Sequence, residues 1–345
     1  MTYQDVMDRA KDKIGLNCKV CKECNGIACK GRIPGPGGKG TGMGFIRNYH
    51  DVKSIALHMN TIHDVESVDT GFEFFGKTFA LPVFAGPIGA VQLHYSSVYS
   101  DLTYSEAVVK GCAAAGAIGF TGDGVQDEVF IGTAEAIKNQ GGIGVPTIKP
   151  WKKEEVIKKI RIAESAGAIA VAMDIDAAGL AILAAQGKPV APMPIQVLRE
   201  VIESTKLPFV VKGIMTAEGA ISAAEAGAYA IIVSNHGGRV LDETPSTISQ
   251  LPEIVAAVGG KTKIIIDGGF RSGLDIFKAM ALGADAVMIA RPFVTAVYGG
   301  DAEGVELLIQ QYKKELEEAM LMTGCRTLAD IDATKVKMLY SFKGL

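Results

Sequence analysis

No basic block, no apolar leader and no membrane-length run interrupts this chain of 345 residues. The formal net charge is -3, so nucleic-acid binding has no electrostatic support. No stretch reaches the roughly 18 apolar residues that a membrane span needs. The opening MTYQDVMDRAKDKIGLN is polar and charged, unlike a secretory signal. The expectation is a cytoplasmic protein with no nucleic-acid and no membrane partner. Cysteine is scarce outside one place: Cys112 and Cys325 stand alone, and Cys18, Cys21, Cys24 and Cys29 crowd into CKVCKECNGIAC. In a cytosolic chain, such clustering suggests metal or redox chemistry more than structural disulfides. What remains is 48% hydrophobic and 21% charged, a globular composition able to bury a large core.

From about residue 80 one rhythm repeats: a short apolar run, a turn, a helix-patterned segment and a Gly-containing turn. The runs are LPVFAGP, AIGFTGDG, GGIGVPTIKP, AIAVAMDID, LPFVVKGI, AIIVSNHGG, KIIIDGG and AVMIARP. Continuous apolar runs suit parallel strands buried on both faces. The intervening KEEVIKKIRIAESAG, TAEGAISAAEAG and SGLDIFKAMALG are amphipathic and end in Gly, as helices often do. Eight such units predict an α/β fold, a (β/α)8 TIM barrel over residues 81–345, with a doubly wound open sheet as the alternative. Residues 1–80, which hold the Cys cluster and the Gly-rich GRIPGPGGKGTGMGF, read as an N-terminal cap. The segment from Ile175 to Met193 reads as a mobile lid over the barrel mouth or as a short extra helix packed on it.

Polar and Gly residues gather at the C-terminal ends of the strands, where barrel active sites lie. His236 is the one histidine of five that ends a strand-like run. The glycines after it allow close approach to a ligand. Arg239 offers a planar fork for a carboxylate or phosphate. Together they suit a base and an anion clamp, as oxidation of a hydroxy acid needs. Asp174 ends the fourth strand and is the expected carboxylate partner of His236, with Asp176 competing for that role. Asp267, Gly268, Gly269 and Arg271 end strand seven, and Ala290 and Arg291 end strand eight. Those are the loops of the usual barrel phosphate site. Lys212, in an apolar run, calls for an anionic partner or an electron-rich cofactor ring.

VVKGI, IIVSNHGGRVLDETPSTISQLPEIV, IIIDGGFRSGLDIFKAMALGADAVMIARP and GCRTLADI together resemble the FMN-dependent α-hydroxy-acid oxidase and dehydrogenase family, which includes glycolate and lactate oxidases. The match is close from Leu207 to Ile331 and looser from Asn60 to Asp174. The resemblance implies FMN as cofactor and oxidation of a small 2-hydroxy acid to a 2-oxo acid. It makes His236 the base, Asp174 its partner, Arg239 the carboxylate holder and Lys212 the group that stabilises reduced flavin. Pro87, Ile88, Gly89, Gly122, Thr147 and Ser234 would lie along the flavin. Asp267, Gly268, Gly269, Arg271, Ala290 and Arg291 would bind its ribityl-phosphate end. The resemblance also implies a homo-oligomer, with oxygen or a redox protein as electron acceptor.

The departures are equally specific. The family's Gln and Tyr after strand three correspond to Thr147 and Lys149. Its large residue after strand two corresponds to Gly124, and a second arginine after strand four has no counterpart. Lys149 is expected either to replace part of the anion clamp or to be a surface lysine. These losses keep another FMN-barrel reaction, an isomerase or reductase, as the alternative. The Cys spacing, C-x2-C-x2-C-x4-C, lies outside the family pattern and near a ferredoxin-type run. Zinc or an iron-sulfur cluster, a redox-active thiol pair, and plain cytosolic cysteines are the three readings. A redox or metal sensor built on the cluster is the non-enzymatic rival.

Overall fold

In the computed structural model, which describes residues 2–339, the eight apolar runs form the eight strands of one closed parallel barrel. They are β1 (Val83–Ala85), β2 (Ile118–Thr121), β3 (Val145–Ile148), β4 (Val171–Asp174), β5 (Phe209–Ile214), β6 (Ala230–Val233), β7 (Lys263–Asp267) and β8 (Ala286–Ile289). Each pairs with its sequence neighbour, and β8 closes on β1 with Met288 opposite Phe84. The open-sheet alternative is therefore excluded. The helices following the strands are α1 (Asp101–Ala114), α2 (Asp127–Asn139), α3 (Lys153–Ser165), α4 (Ile195–Glu203), α5 (Ala217–Glu225), α6 (Thr247–Val258), α7 (Gly273–Ala281) and α8 (Arg291–Thr323). Ser272 caps α7 as its position suggested, its hydroxyl accepting from the Asp275 amide at 3.2 Å.

Strand alternation separates two cores. One face of each strand packs on the helices, and the other fills the barrel with Phe84, Phe120, Val145, Val210, Ile232 and Ile265. The hairpin formed by Phe72–Phe74 and Lys77–Phe79 closes the N-terminal end. There Phe74 meets Phe84 edge-on at 5.3 Å, and the Phe75 amide donates to the Tyr229 hydroxyl at 3.1 Å. With one end plugged by aromatic rings, the opposite end is where a ligand enters.

The N-terminal segment is woven onto the barrel. The helix Tyr3–Lys13 packs on α8, and the strand Ile55–Leu57 pairs antiparallel with Val336–Met338. The helix Met43–Lys53 lies against the turn after β6. After β4, the 3-10 turn Ile175–Gly179 and the short helix Ala181–Ala185 bring Leu180 and Leu183, both buried, over the mouth. Among the described residues no helix is long and apolar enough to cross a membrane.

Candidate active site

A cavity of about 560 Å3 opens at the C-terminal ends of the strands, within the ordinary range of ligand pockets. Pro87, Ile88 and Gly89 line it after β1, Gly122 after β2, and Thr147 and Lys149 at the end of β3. Asp174, Lys212, His236, Arg239, Asp267, Gly268, Gly269, Arg271, Ala290 and Arg291 complete the predicted set in its walls. Ser234 is the exception. It is fully buried behind the wall, where its hydroxyl donates to Asp267 Oδ2 at 2.8 Å and accepts from the His236 amide at 3.0 Å. Its place is under the His236 loop, not on the cavity surface.

His236 takes a left-handed backbone with φ +55°, an uncommon conformation for a residue with a side chain. The turn persists because its neighbours are tied from several sides. The Asn235 side chain accepts from the Gly238 amide at 3.1 Å and from Asn48 Nδ2 at 2.7 Å. It donates back to Asn48 Oδ1 and to Thr244 Oγ1. Gly238 is required by contact as well as by its positive φ, since a Cβ there would lie 2.3 Å from the Phe45 amide nitrogen. A loop that looks loose in sequence is thus held by the helix Met43–Lys53. Asn48 and Asn235 carry no catalytic signature, and their link spans 187 positions. Only the SNHGG neighbourhood hinted at it.

The carboxylate partner of His236 is Asp176, not Asp174. Asp176 Oδ1 lies 2.8 Å from Nδ1, whereas Asp174 Oδ2 lies 4.0 Å away. The 3-10 turn after β4 sets Asp176 against Lys212 and Gly213 of β5, where the pairing register of that strand shifts. Gly213 is the reason it fits: a Cβ at that position would lie 2.5 Å from Asp176 Cβ. Asp174 instead receives Lys149 Nζ at 3.1 Å. Lys149 is therefore a buried, ion-paired lysine in the cavity wall, and the surface reading is set aside.

Lys212 is buried, with Asp176 Oδ2 at 3.4 Å and Asp267 Oδ2 at 3.8 Å. Burial disfavours its charge, but Asp176, Asp267 and Asp174 outweigh burial and raise its pKa above the ordinary lysine value. Burial likewise works against an ionised Asp176, yet Lys212 and then His236 hold it down, to about 2. Burial lowers the pKa of His236 from its usual value, opposed by Asp176 and reinforced by Lys212. The ring is therefore neutral at neutral pH beside an ionised carboxylate. Asp174, Asp176 and His236 are also the group of described residues whose donor atoms lie within 4.8 Å of one another. Lys149 and Lys212 already neutralise those carboxylates, so the arrangement suits acid–base work better than a cation.

Another imidazole lines the cavity. His94 Nδ1 accepts from the Gly35 amide at 3.2 Å, and burial, with Arg239, Lys149 and His236 nearby, drives its pKa down to about 3. It is a neutral wall residue that the sequence did not single out. Arg239 donates to the Gly35 carbonyl, which draws the Gly-rich segment over the mouth. Arg291 bonds the Pro36 and Gly237 carbonyls at 2.8 and 2.9 Å, and its guanidinium lies 3.6 Å from the centre of the Phe45 ring.

Arg271 turns away from the mouth toward the N-terminal segment. Its Nε donates to the Cys24 carbonyl at 2.9 Å, and a terminal nitrogen lies 3.7 Å from Cys24 Sγ. Beyond the two arginines is a second cavity of about 170 Å3, walled in part by Cys18, Cys21, Cys24 and Cys29. All four are free thiols.

The family model described as FMN-dependent dehydrogenase matches residues 36–188 and 189–338. Over 137 residues the chain is 49% identical to an L-lactate oxidase of Lactobacillus jensenii, a match covering 40% of this chain and 34% of that protein. Over 133 residues it is 48% identical to a peroxisomal (S)-2-hydroxyacid oxidase of Arabidopsis thaliana, covering 39% and 37%. The matched stretch spans about a third of the length of these relatives. Solved structures of mandelate oxidase are similar across nearly the whole chain. One, with (S)-2-phenylpropionate, superposes at a TM-score of 0.79 with 28% identity, covering 97% of both chains. Another, carrying an FMN adduct, gives 0.78 with 28% identity, covering 97% of this chain and 99% of that one.

Proposed function

We propose that this chain, which belongs to the FMN-dependent dehydrogenase family, oxidises a 2-hydroxy acid to the corresponding 2-oxo acid. The observation that carries the reading is His236, in the wall of one cavity with Lys212 and Arg239, paired at 2.8 Å with the half-buried Asp176.

The cavity suits FMN on its own terms. It is large enough, and the buried Thr147 Oγ1 and Asp267 Oδ1 in its wall have no hydrogen-bond partner among the described residues. Arg271 and Arg291 pair with no carboxylate among the described residues, which leaves their charge for an anion. Thr147, Lys212, the backbone of Gly268 and Gly269, and Arg291 would hold the cofactor. When bound, FMN supplies the two-electron acceptor that the side chains lack.

The protein's own part is positioning and proton transfer. Asp176 accepts from Nδ1–H of His236, which fixes the tautomer and leaves Nε2 with its lone pair. His236 Nε2 then takes the proton that the oxidation releases. Arg239 and Lys149 hold the substrate carboxylate, Lys149 standing where relatives of the resembled family carry a Tyr. Lys212 supplies positive charge where negative charge develops. Leu180 and Leu183 narrow the mouth and limit water.

A direct experiment is to purify the protein with its flavin and compare it with His236→Gln. Equal FMN content is expected in both. Substrate-driven flavin reduction is expected to slow about 10²- to 10⁴-fold in the variant, the usual contribution of a positioned base. Equal rates would remove His236 from the reaction.

A further inference from the structure

We propose that the second cavity holds an iron-sulfur cluster, ligated by the thiolates of Cys18, Cys21, Cys24 and Cys29.

Three features of the molecule point there. First, all four cysteines of C-x2-C-x2-C-x4-C line one partly open cavity, although they lie on an irregular segment with no strand or helix to impose that convergence. The space, about 170 Å3, is larger than a single ion requires, since a water molecule occupies about 30 Å3.

Second, the spacing C-x2-C-x2-C-x4-C is that of a ferredoxin-type cluster-binding run, C-x2-C-x2-C-x3-C, with one residue added before the fourth cysteine.

Third, the charge is right. Arg271 and Arg291 stand between the two cavities and line both. Neither guanidinium meets a carboxylate among the described residues. A phosphate in the first cavity would answer one side of this pair. The 3.7 Å approach of Arg271 to Cys24 Sγ faces the other side, where thiolates and bridging sulfides would carry the negative charge.

The test is the composition of the full-length protein purified without oxygen. Iron and acid-labile sulfide are expected in equal amounts, with a reduced-state paramagnetic signal distinct from flavin. Both should fall at least about tenfold in Cys21→Ser, while FMN content and far-UV circular dichroism stay unchanged. The wild-type iron and sulfide content decides the matter even if that variant fails to fold. Zinc without sulfide would overturn the proposal, as would iron without sulfide. So would a metal-free protein that takes up neither component when incubated with ferrous iron and sulfide. None of these outcomes depends on hydroxy-acid oxidation.

Discussion

Asp176 raises the basicity of His236 against the larger effect of burial, and the two aspartates after β4 therefore separate by experiment. In the proposed reaction a neutral His236 is the active form, and burial lowers its pKa from the ordinary value of about 6.5. Activity should hold at neutral pH and fall on the acid side, with a midpoint below about 6.5. Asp176 raises the pKa of this histidine, so Asp176→Asn should move that midpoint to lower pH and slow turnover about 100-fold. Asp174→Asn, 4.0 Å from the ring, should shift the midpoint less and act mainly through Lys149. A pH profile of kcat/KM for the two variants checks this. Lys149→Met leaves Asp174 buried without its cation and should cost about 3–5 kcal/mol of stability. The double variant Lys149→Met/Asp174→Asn should recover most of that loss in a thermal melt, but not the raised KM expected from losing the carboxylate clamp. Asp174 and Asp176 could not be ranked from sequence, because the choice turns on a 3-10 turn and on the space left at Gly213.

At the scale of elements, the His236 turn and the helix Met43–Lys53 form one unit. Gly238→Ala would place a Cβ 2.3 Å from the Phe45 amide at φ +78° and should destabilise by about 2 kcal/mol or more. Asn48→Ala removes both bonds to Asn235 and the acceptor for the Thr247 amide, which should cost about 1–3 kcal/mol. Denaturant melts of the two variants, read with FMN retention, check whether the turn loosens before the barrel does. The eight strands were legible because a strand buried on both faces has to be continuously apolar. The segment between Gly31 and Gly42 was not, since its form comes from contacts with Arg239, Arg291 and Gly238 that lie some 200 positions away. The burial of Lys149 followed the same rule: strand position suggested the cavity, but the partner carboxylate on the next strand decided it.

For the whole molecule, an aromatic hairpin shuts one end of the barrel and leaves the other to chemistry. The N-terminal segment contributes to both cavities: Gly35 and Pro36 bond the arginines at the barrel mouth, and the four cysteines before them wall the second cavity. The central claim is 2-hydroxy-acid oxidation through His236. The most direct measurement is anaerobic mixing of the flavin-loaded protein with lactate, glycolate and mandelate while the visible flavin absorbance is followed. The account predicts bleaching by at least one acid, with the rate collapsing in His236→Gln. A flavin that binds but is reduced by none of the acids would contradict it and favour an isomerase or reductase on the same barrel.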